Sequence, residues 1–337
     1  AVLRGAACDA KERQWWWKVI MQRAQWLQVH ALRGHATGVE FSILHQDTTP
    51  GHLLRVSQQE FNLRWSLDLR YSVTGPQFAV ITTLEATSPI DQSTLGVTAA
   101  LDKATLADII KRLTHRGWII QARDDRDRRR SLLSLSVEGR EALTEIRPLV
   151  GRLQDALMER IPKPRRESFI ERLRRVAFEG LPSASESVPT PSGLLRTPGH
   201  LIRRAQRVHT TIWSETVPGD VTGPQYSVLA AIAAADEGGA DARTIGRASS
   251  LDRSTVAEVI GRLERDGWIV RRTDDRDRRR FQIALAAPTE LAMEHLTARA
   301  AAVQHRLFAP LDPAEAEETI EDLASLSGRR VDASAVS

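Results

Sequence analysis

Apolar residues along the chain recur with helical spacing, and the same series occurs twice. Leu54, Phe61, Trp65 and Leu69 are separated by seven, four and four positions, which places them on one helix face; Ile202, His209, Trp213 and Val217 repeat the spacing. Thr74-Gly75-Pro76-Gln77 and Thr222-Gly223-Pro224-Gln225 each predict the start of a second helix, because threonine caps and proline fits a first turn. A short helix is predicted near 91–99 and near 242–248. Leu106, Ile109, Ile110 and Leu113, and again Val256, Val259, Ile260 and Leu263, fall at i, i+3, i+4 and i+7 of an amphipathic helix. Asp102 and Asp252 suit its positive end, and Gly117 and Gly267 its termination. Trp118-Ile119-Ile120 and Trp268-Ile269-Val270 predict a strand. A charged turn follows, and then a returning strand at 131–135 or 281–285. Leu143, Ile146, Val150, Leu153 and Leu157, then Phe169, Leu173 and Val176, predict two closing helices. Met293, Leu296, Ala300, Val303 and Leu307, then Ile320 and Leu323, predict their counterparts.

Identity between the copies goes beyond pattern. Asp124–Arg130 and Asp274–Arg280 both read DDRDRRR, and 17 of 30 positions agree between Leu101–Arg130 and Leu251–Arg280, an offset of 150. Upstream the offset is 148: Val-Thr-Gly-Pro-Gln recurs at 73–77 and 221–225, and Pro-Gly-His-Leu at 50–53 and 198–201. The two extra residues fall around 236–241, where Gly238-Gly239 predicts a loop. A copy of about 130 residues is large enough to own a core. The expected organisation is an N-terminal extension at 1–49, a first domain at 50–180, a linker at 181–197, a second domain at 198–327 and a tail at 328–337. The linker rests on the Ser/Pro/Thr-rich run SASESVPTPS. The extension holds Trp15-Trp16-Trp17 and has no counterpart in the second copy; a membrane-surface or capping helix and a disordered segment compete for it.

Within each copy three helices, an amphipathic helix, a basic hairpin and two closing helices follow in order. The expected fold is mainly α with small β-hairpins, a pair of winged helix-turn-helix domains.

Composition removes other classes. The 337 residues are 42% hydrophobic and 27% charged, as in globular proteins. The longest uncharged run, 221–235, is too short to span a membrane. The one cysteine, Cys8, excludes an internal disulfide framework and an all-cysteine metal site, and a cytoplasmic protein is the simplest expectation. A net charge of +4 does not itself indicate a polyanion partner, so the placement of charge decides.

That placement favours DNA. The exposed face of the first amphipathic helix carries Lys103, Ala104, Thr105, Lys111 and Arg112, and the second Arg253, Ser254, Thr255 and Arg262. A helix fits the major groove, where such side chains reach base edges and phosphates. Arg126, Arg128, Arg129 and Arg130, repeated as Arg276, Arg278, Arg279 and Arg280, suit a narrow minor groove. The recognition helices differ: residues 102–116 hold four Lys/Arg against two Asp, whereas 252–266 hold three Arg against four Asp/Glu. The first copy is therefore expected to supply more of the phosphate attraction. Three other readings stand beside this one: a sequence-tolerant architectural DNA protein, a second copy kept only as a pairing partner, and a metal-dependent nuclease using Asp124, Asp125 and Asp127. Arginines flank each of these acids and oppose a cation. His52 and His200, near helix starts, are expected to be structural, and Trp65 and Trp213 core.

The block Leu101–Thr105, Arg112-Leu113, Gly117-Trp118, Asp124–Arg130 and Leu133–Gly139, with Leu251–Thr255, Arg262-Leu263, Gly267-Trp268 and Asp274–Arg280, resembles the recognition helix and wing of the MarR family of bacterial transcription regulators. The resemblance covers about 50–180 and 198–327. Such regulators dimerise through their terminal helices, bind pseudopalindromic operators and release them when a small molecule binds between the dimerisation and DNA-binding parts. It implies a fused, intrachain pseudo-dimer with no cofactor and no catalytic residue. One chain would occupy one double-stranded operator, most simply as a repressor. Asp91-Gln92 with Leu95-Gly96 also resembles members that sense phenolic or aromatic acids, with Trp65, Phe78, Trp213 and Tyr226 lining the pockets. Ala286-Ala287-Pro288 replaces Ser136-Val137-Glu138-Gly139, so the second long helix is expected to start differently.

Overall fold

A computed structural model describes residues 49–68, 73–124, 131–180, 190–217, 219, 221–235, 239–273 and 281–328. The extension, its tryptophans and Cys8 lie outside the described residues. In the first copy α1 (Pro50–Asp68) and α2 (Gly75–Thr87) lead to strand β1 (Ile90–Asp91), α3 (Gln92–Ala99), α4 (Lys103–His115), β2 (Ile119–Arg123), β3 (Ser131–Leu135), α5 (Val137–Met158) and α6 (Arg166–Glu179). A short helix α7 (Ser192–Leu195) precedes the second copy: α8 (Pro198–Thr216), α9 (Gly223–Ala233), α10 (Ala242–Ser249), α11 (Arg253–Arg265), β4 (Ile269–Thr273), β5 (Phe281–Leu285), α12 (Ala287–Phe308) and α13 (Pro313–Leu326).

The boundaries follow local chemistry. Thr74 and Thr222 cap α2 and α9, and Gln77 and Gln225 reach back to the cap N–H, a reciprocal box that the sequence reading had only as a threonine cap. Asp102 and Asp252 cap α4 and α11. Gly117 and Gly267 both lie at φ +75°, a conformation that a side chain disfavours, and they turn the chain from helix to strand. Leu69 lies outside the described residues; the other apolar positions read from the spacing are buried in both copies, from Leu106, Ile109, Ile110 and Leu113 to Ile320 and Leu323.

The copies differ in detail. β1 pairs with β3, so the first hairpin is a three-stranded antiparallel sheet in the order β1-β3-β2; the second keeps β4 with β5 and one bridge, Ala240 to Ile283. The insertion sits beside that bridge, and Gly239 takes φ +83° there. The second long helix starts differently in its cap but at the equivalent position. α5 and α12 start at Val137 and Ala287, 150 apart, although Ser136 accepts from the Gly139 N–H and Ala286 has no capping side chain. Packing of the buried face sets the start and the cap adds to it. The segment expected to be linker is not solvated throughout: α7 lies within it, and Leu194 is fully buried.

The terminal helices interlock, and the chain is an intrachain pseudo-dimer of winged helix-turn-helix units. α1 packs on α8; α6 of the first copy packs on α8, and α13 of the second packs on α1. Matching polar contacts cross in both directions. The Gly51 N–H donates to Gln304 Oε1 at 2.9 Å, and the Gly199 N–H to Gln154 Oε1 at 3.3 Å.

Candidate nucleic-acid interface and cavity

On α4, Lys103, Ala104, Thr105, Lys111 and Arg112 are exposed while the aliphatic face is buried; on α11, Arg253, Ser254 and Arg262 are exposed and Thr255 is partly so. The hydroxyls are already engaged. The Thr105 N–H and hydroxyl both donate to Asp102, at 2.9 and 2.6 Å. The Ser254 and Thr255 hydroxyls both donate to Asp252. These bonds hold the two carboxyls below the usual carboxylate range, that of Asp102 through Thr105 and that of Asp252 through Ser254 first. The three hydroxyls therefore fix the start of each helix. Arg112 pairs with Asp108 at 2.8 Å and Arg262 with Glu258 at 2.6 Å, each one turn back.

Arg126, Arg128, Arg129, Arg130, Arg276, Arg278, Arg279 and Arg280 lie outside the described residues, as do Asp125 and Asp127. Their strands do not. Arg123 closes β2, and Arg271 and Arg272 sit on β4, exposed; Arg271 is paired with Glu264 at 3.0 Å. None of these three recurs in the other copy, where Thr273, Gln121 and Ala122 stand, so repetition does not single them out. Among the described residues no group of His, Cys, Asp or Glu is arranged to hold a metal ion, and no helix is long and apolar enough to cross a membrane.

Between α1 of the first copy and α8 and the start of α9 of the second lies a cavity of about 450 Å³, within the range of small-molecule sites. Trp213 and Tyr226 form one wall, their rings 5.5 Å apart and inclined by 49°. The opposite wall comes from the first copy: Gly51, His52 and Arg55 of α1. Arg55 spans the two copies. Its guanidinium donates to the Ser250 and Ser249 carbonyls, at 2.8 and 2.6 Å, and to His52 Nδ1 at 3.0 Å. Ser250, at φ +50°, ends α10 just before the Asp252 cap of α11. Burial lowers Arg55 to about 10, so it stays a cation, and lowers His52 to about 3, so the ring is neutral at pH 7. Since arginine only donates, His52 Nδ1 is the acceptor and Nε2 carries the proton. That buried Nε2 has no hydrogen-bond partner, nor has Gln206 Oε1 on the same cavity. The arrangement offers a cation, an unused donor and two aromatic rings, which suits an aromatic acid.

Of the four aromatic residues expected to bind ligand, Trp213 and Tyr226 line this cavity. Trp65 and Phe78 occupy the pseudo-equivalent place in the first copy, where only about 10 Å³ is free. Trp65 and Trp213 each donate through Nε1 to the carbonyl of Val73 and Val221. His52, expected to be structural, bonds to Arg55 and also lines the cavity. The sequence held a signal for it, since Pro-Gly-His-Leu followed by arginine recurs at 148 residues, with Arg55 matching Arg203.

Comparisons with known proteins find similarity to one family in both copies. Two models described as MarR family match residues 73–131 and 219–280. The transcriptional regulator HosA of Escherichia coli O157:H7 is 30% identical over 125 residues, which span 37% of this chain and 92% of HosA. Among solved structures, PcaV of Streptomyces coelicolor with its natural ligand is 35% identical and covers 38% of this chain and 91% of its own, at a TM-score of 0.36. BpsR of Bordetella bronchiseptica, whose DNA binding is described as regulated by 6-hydroxynicotinic acid, is 26% identical and covers 38% and 97%, at 0.36. Each of these matches the length of one copy.

Proposed function

The chain belongs to the MarR family of DNA-binding transcription regulators, and from that premise we propose that it is a repressor released by an aromatic carboxylic acid. One chain occupies one operator. α4 and α11 enter successive major grooves about 34 Å apart, with the arginine hairpins in the flanking minor grooves. Because α4 reads KATLADIIKRL and α11 RSTVAEVIGRL over their first eleven residues, the two half-sites differ. The cavity is the effector site. A carboxylate entering the cavity along the wall of the Trp213 and Tyr226 rings meets the Arg55 guanidinium and the His52 Nε2–H. To pair with it, Arg55 gives up the Ser249 and Ser250 carbonyls that tie α1 to the turn ahead of α11. The acid thus binds better to a state in which that turn is loose, and it shifts the population away from the DNA-bound arrangement.

The reach of Arg55, from a cavity wall in one copy to the foot of the recognition helix in the other, carries this reading. Binding-site selection from random DNA tests it, followed by titration of the selected duplex complex with 4-hydroxybenzoate. We expect a selected site bound at least a thousandfold more tightly than random duplex, released by the acid in the parent protein and far less in Arg55→Gln. Equal affinity for selected and random DNA would leave an architectural protein instead. Release unchanged in Arg55→Gln would remove Arg55 from the mechanism.

A further inference from the structure

We propose that, of the two effector-site positions built from the described residues, one works, because α7 fills the other. This rests on reading the open cavity as the effector site. The pseudo-twofold relation generates two such places, each built from the first helix of one copy and the aromatic wall of the other. His52, Arg55, Trp213 and Tyr226 form the open one; His200, Arg203, Trp65 and Phe78 form its twin. The ring walls match: Trp65 and Phe78 are 6.0 Å apart at 53°, against 5.5 Å and 49° for Trp213 and Tyr226. So do the polar groups. Arg203 Nη2 lies 3.1 Å from His200 Nδ1 and donates to the Ala99 carbonyl at 3.3 Å, as Arg55 does to Ser249. His200 Nε2 and Arg203 Nε are buried without partners. The twin keeps the donors of an acid-binding site and has about 10 Å³ of space against about 450 Å³, at most the room of a single water molecule.

What fills it is Leu194. Leu194 and Thr197 line the closed twin with the rings of Phe61 and Phe78, Leu194 is fully buried, and α7 packs against α2 and α8. A plug on the same chain acts at an effective concentration that a free ligand must exceed. The outer side of Phe78 opens on a groove of about 560 Å³. Its arginines are already matched, Arg147 with Glu85 and Arg196 with Glu167, and neither His200 nor Arg203 reaches it. Duplication therefore left one site that senses and one whose donors are silenced by the connecting segment.

Two measurements on the full chain test this. Calorimetric titration with 4-hydroxybenzoate is expected to give one molecule per chain, lost in Arg55→Gln and kept in Arg203→Gln. Leu194→Gly is expected to add a second, which Arg203→Gln removes. Two molecules bound by the parent chain, or one still bound by Leu194→Gly, overturns the proposal. The other measurement needs no effector. In a Cys8→Ser background, a thiol placed by Gly223→Cys in the open cavity should react with 5,5′-dithiobis(2-nitrobenzoic acid) at least tenfold faster than one placed by Gly75→Cys in the twin. Leu194→Gly should remove the difference. Equal rates in the parent background overturn the plug. If no acid binds either cavity, the effector reading fails and the thiol rates still decide whether the twin is closed.

Discussion

His209 and Phe61 stand at matching positions, and each presses its ring on a first-turn glycine of the other copy. A Cβ on Gly51 would fall 2.2 Å from the His209 ring, and one on Gly199 2.1 Å from Phe61. This close approach explains the repeated Pro-Gly-His-Leu, whose glycine no local rule of helix propensity favours. The pair also makes a testable difference. Burial, aided by the charge of Arg55, lowers His209 from its ordinary 6.5 to about 4, and His52 falls to about 3 for the same two reasons. Apart from Arg55, the polar group against His209 is Gln304, 3.4 Å from its Nε2. A base whose folded pKa lies below its unfolded one contributes stability above the unfolded pKa, and loses it as pH falls toward the folded value. Urea unfolding should therefore show stability dropping from about pH 6.5 to pH 4, by about 1.4 kcal/mol for each unit of difference. His209→Phe, which copies Phe61, should flatten part of that slope. A slope identical to the parent's would show that His209 does not carry it.

At the scale of elements, α6 and α13 descend from one sequence and now carry opposite charge. Arg172 and Asp322 are 150 residues apart, hence equivalent, and they meet across the pseudo-twofold axis at 2.7 Å with both side chains almost fully buried. Arg165 also reaches Asp322 at 3.0 Å and Arg172 reaches Glu318 at 2.8 Å. Burial pushes the Asp322 carboxyl up against the pull of these arginines. In a symmetric dimer the same place would set arginine against arginine or acid against acid. Asp322→Arg should cost about 3–5 kcal/mol, since it leaves Arg172 buried and opposed. The exchange Arg172→Asp with Asp322→Arg should recover part of the loss in urea unfolding; an exchange no better than the single change would show that the pairing does not matter. The helices themselves were legible, because each buries a regular stripe. Their mutual contacts were not: an offset of 150 makes Arg172 and Asp322 equivalent, and only packing shows that equivalent positions touch.

For the whole molecule, the proposed occupancy of one operator by one chain removes dimerisation from the DNA equilibrium. Light scattering is expected to find one chain per selected duplex at all protein concentrations, and a hyperbolic binding curve; two chains per duplex would refute it. The halves should contribute unequally. Replacing Lys103 and Lys111 with alanine should lower the salt slope of binding more than replacing Arg253 and Arg262, because Glu258 and Glu264 already surround the second helix with negative charge. Equal losses would mean that both helices meet phosphates alike. Arg126→Ala with Arg128→Ala should weaken binding at moderate salt, and unchanged affinity would exclude the first hairpin from the interface.

Two helix-turn-helix units, their caps and buried faces, and the glycines that end their helices were settled by the sequence, because hydrophobic period, capping and turn chemistry act over a few neighbouring residues and are written in order along the chain. The Arg55 bridge, the neutral His52, the charge pair across the axis and the closing of one cavity by Leu194 were decided by the tertiary structure. Each joins residues far apart in the chain, and the energy of a buried charge or a filled cavity depends on which surfaces fold against one another.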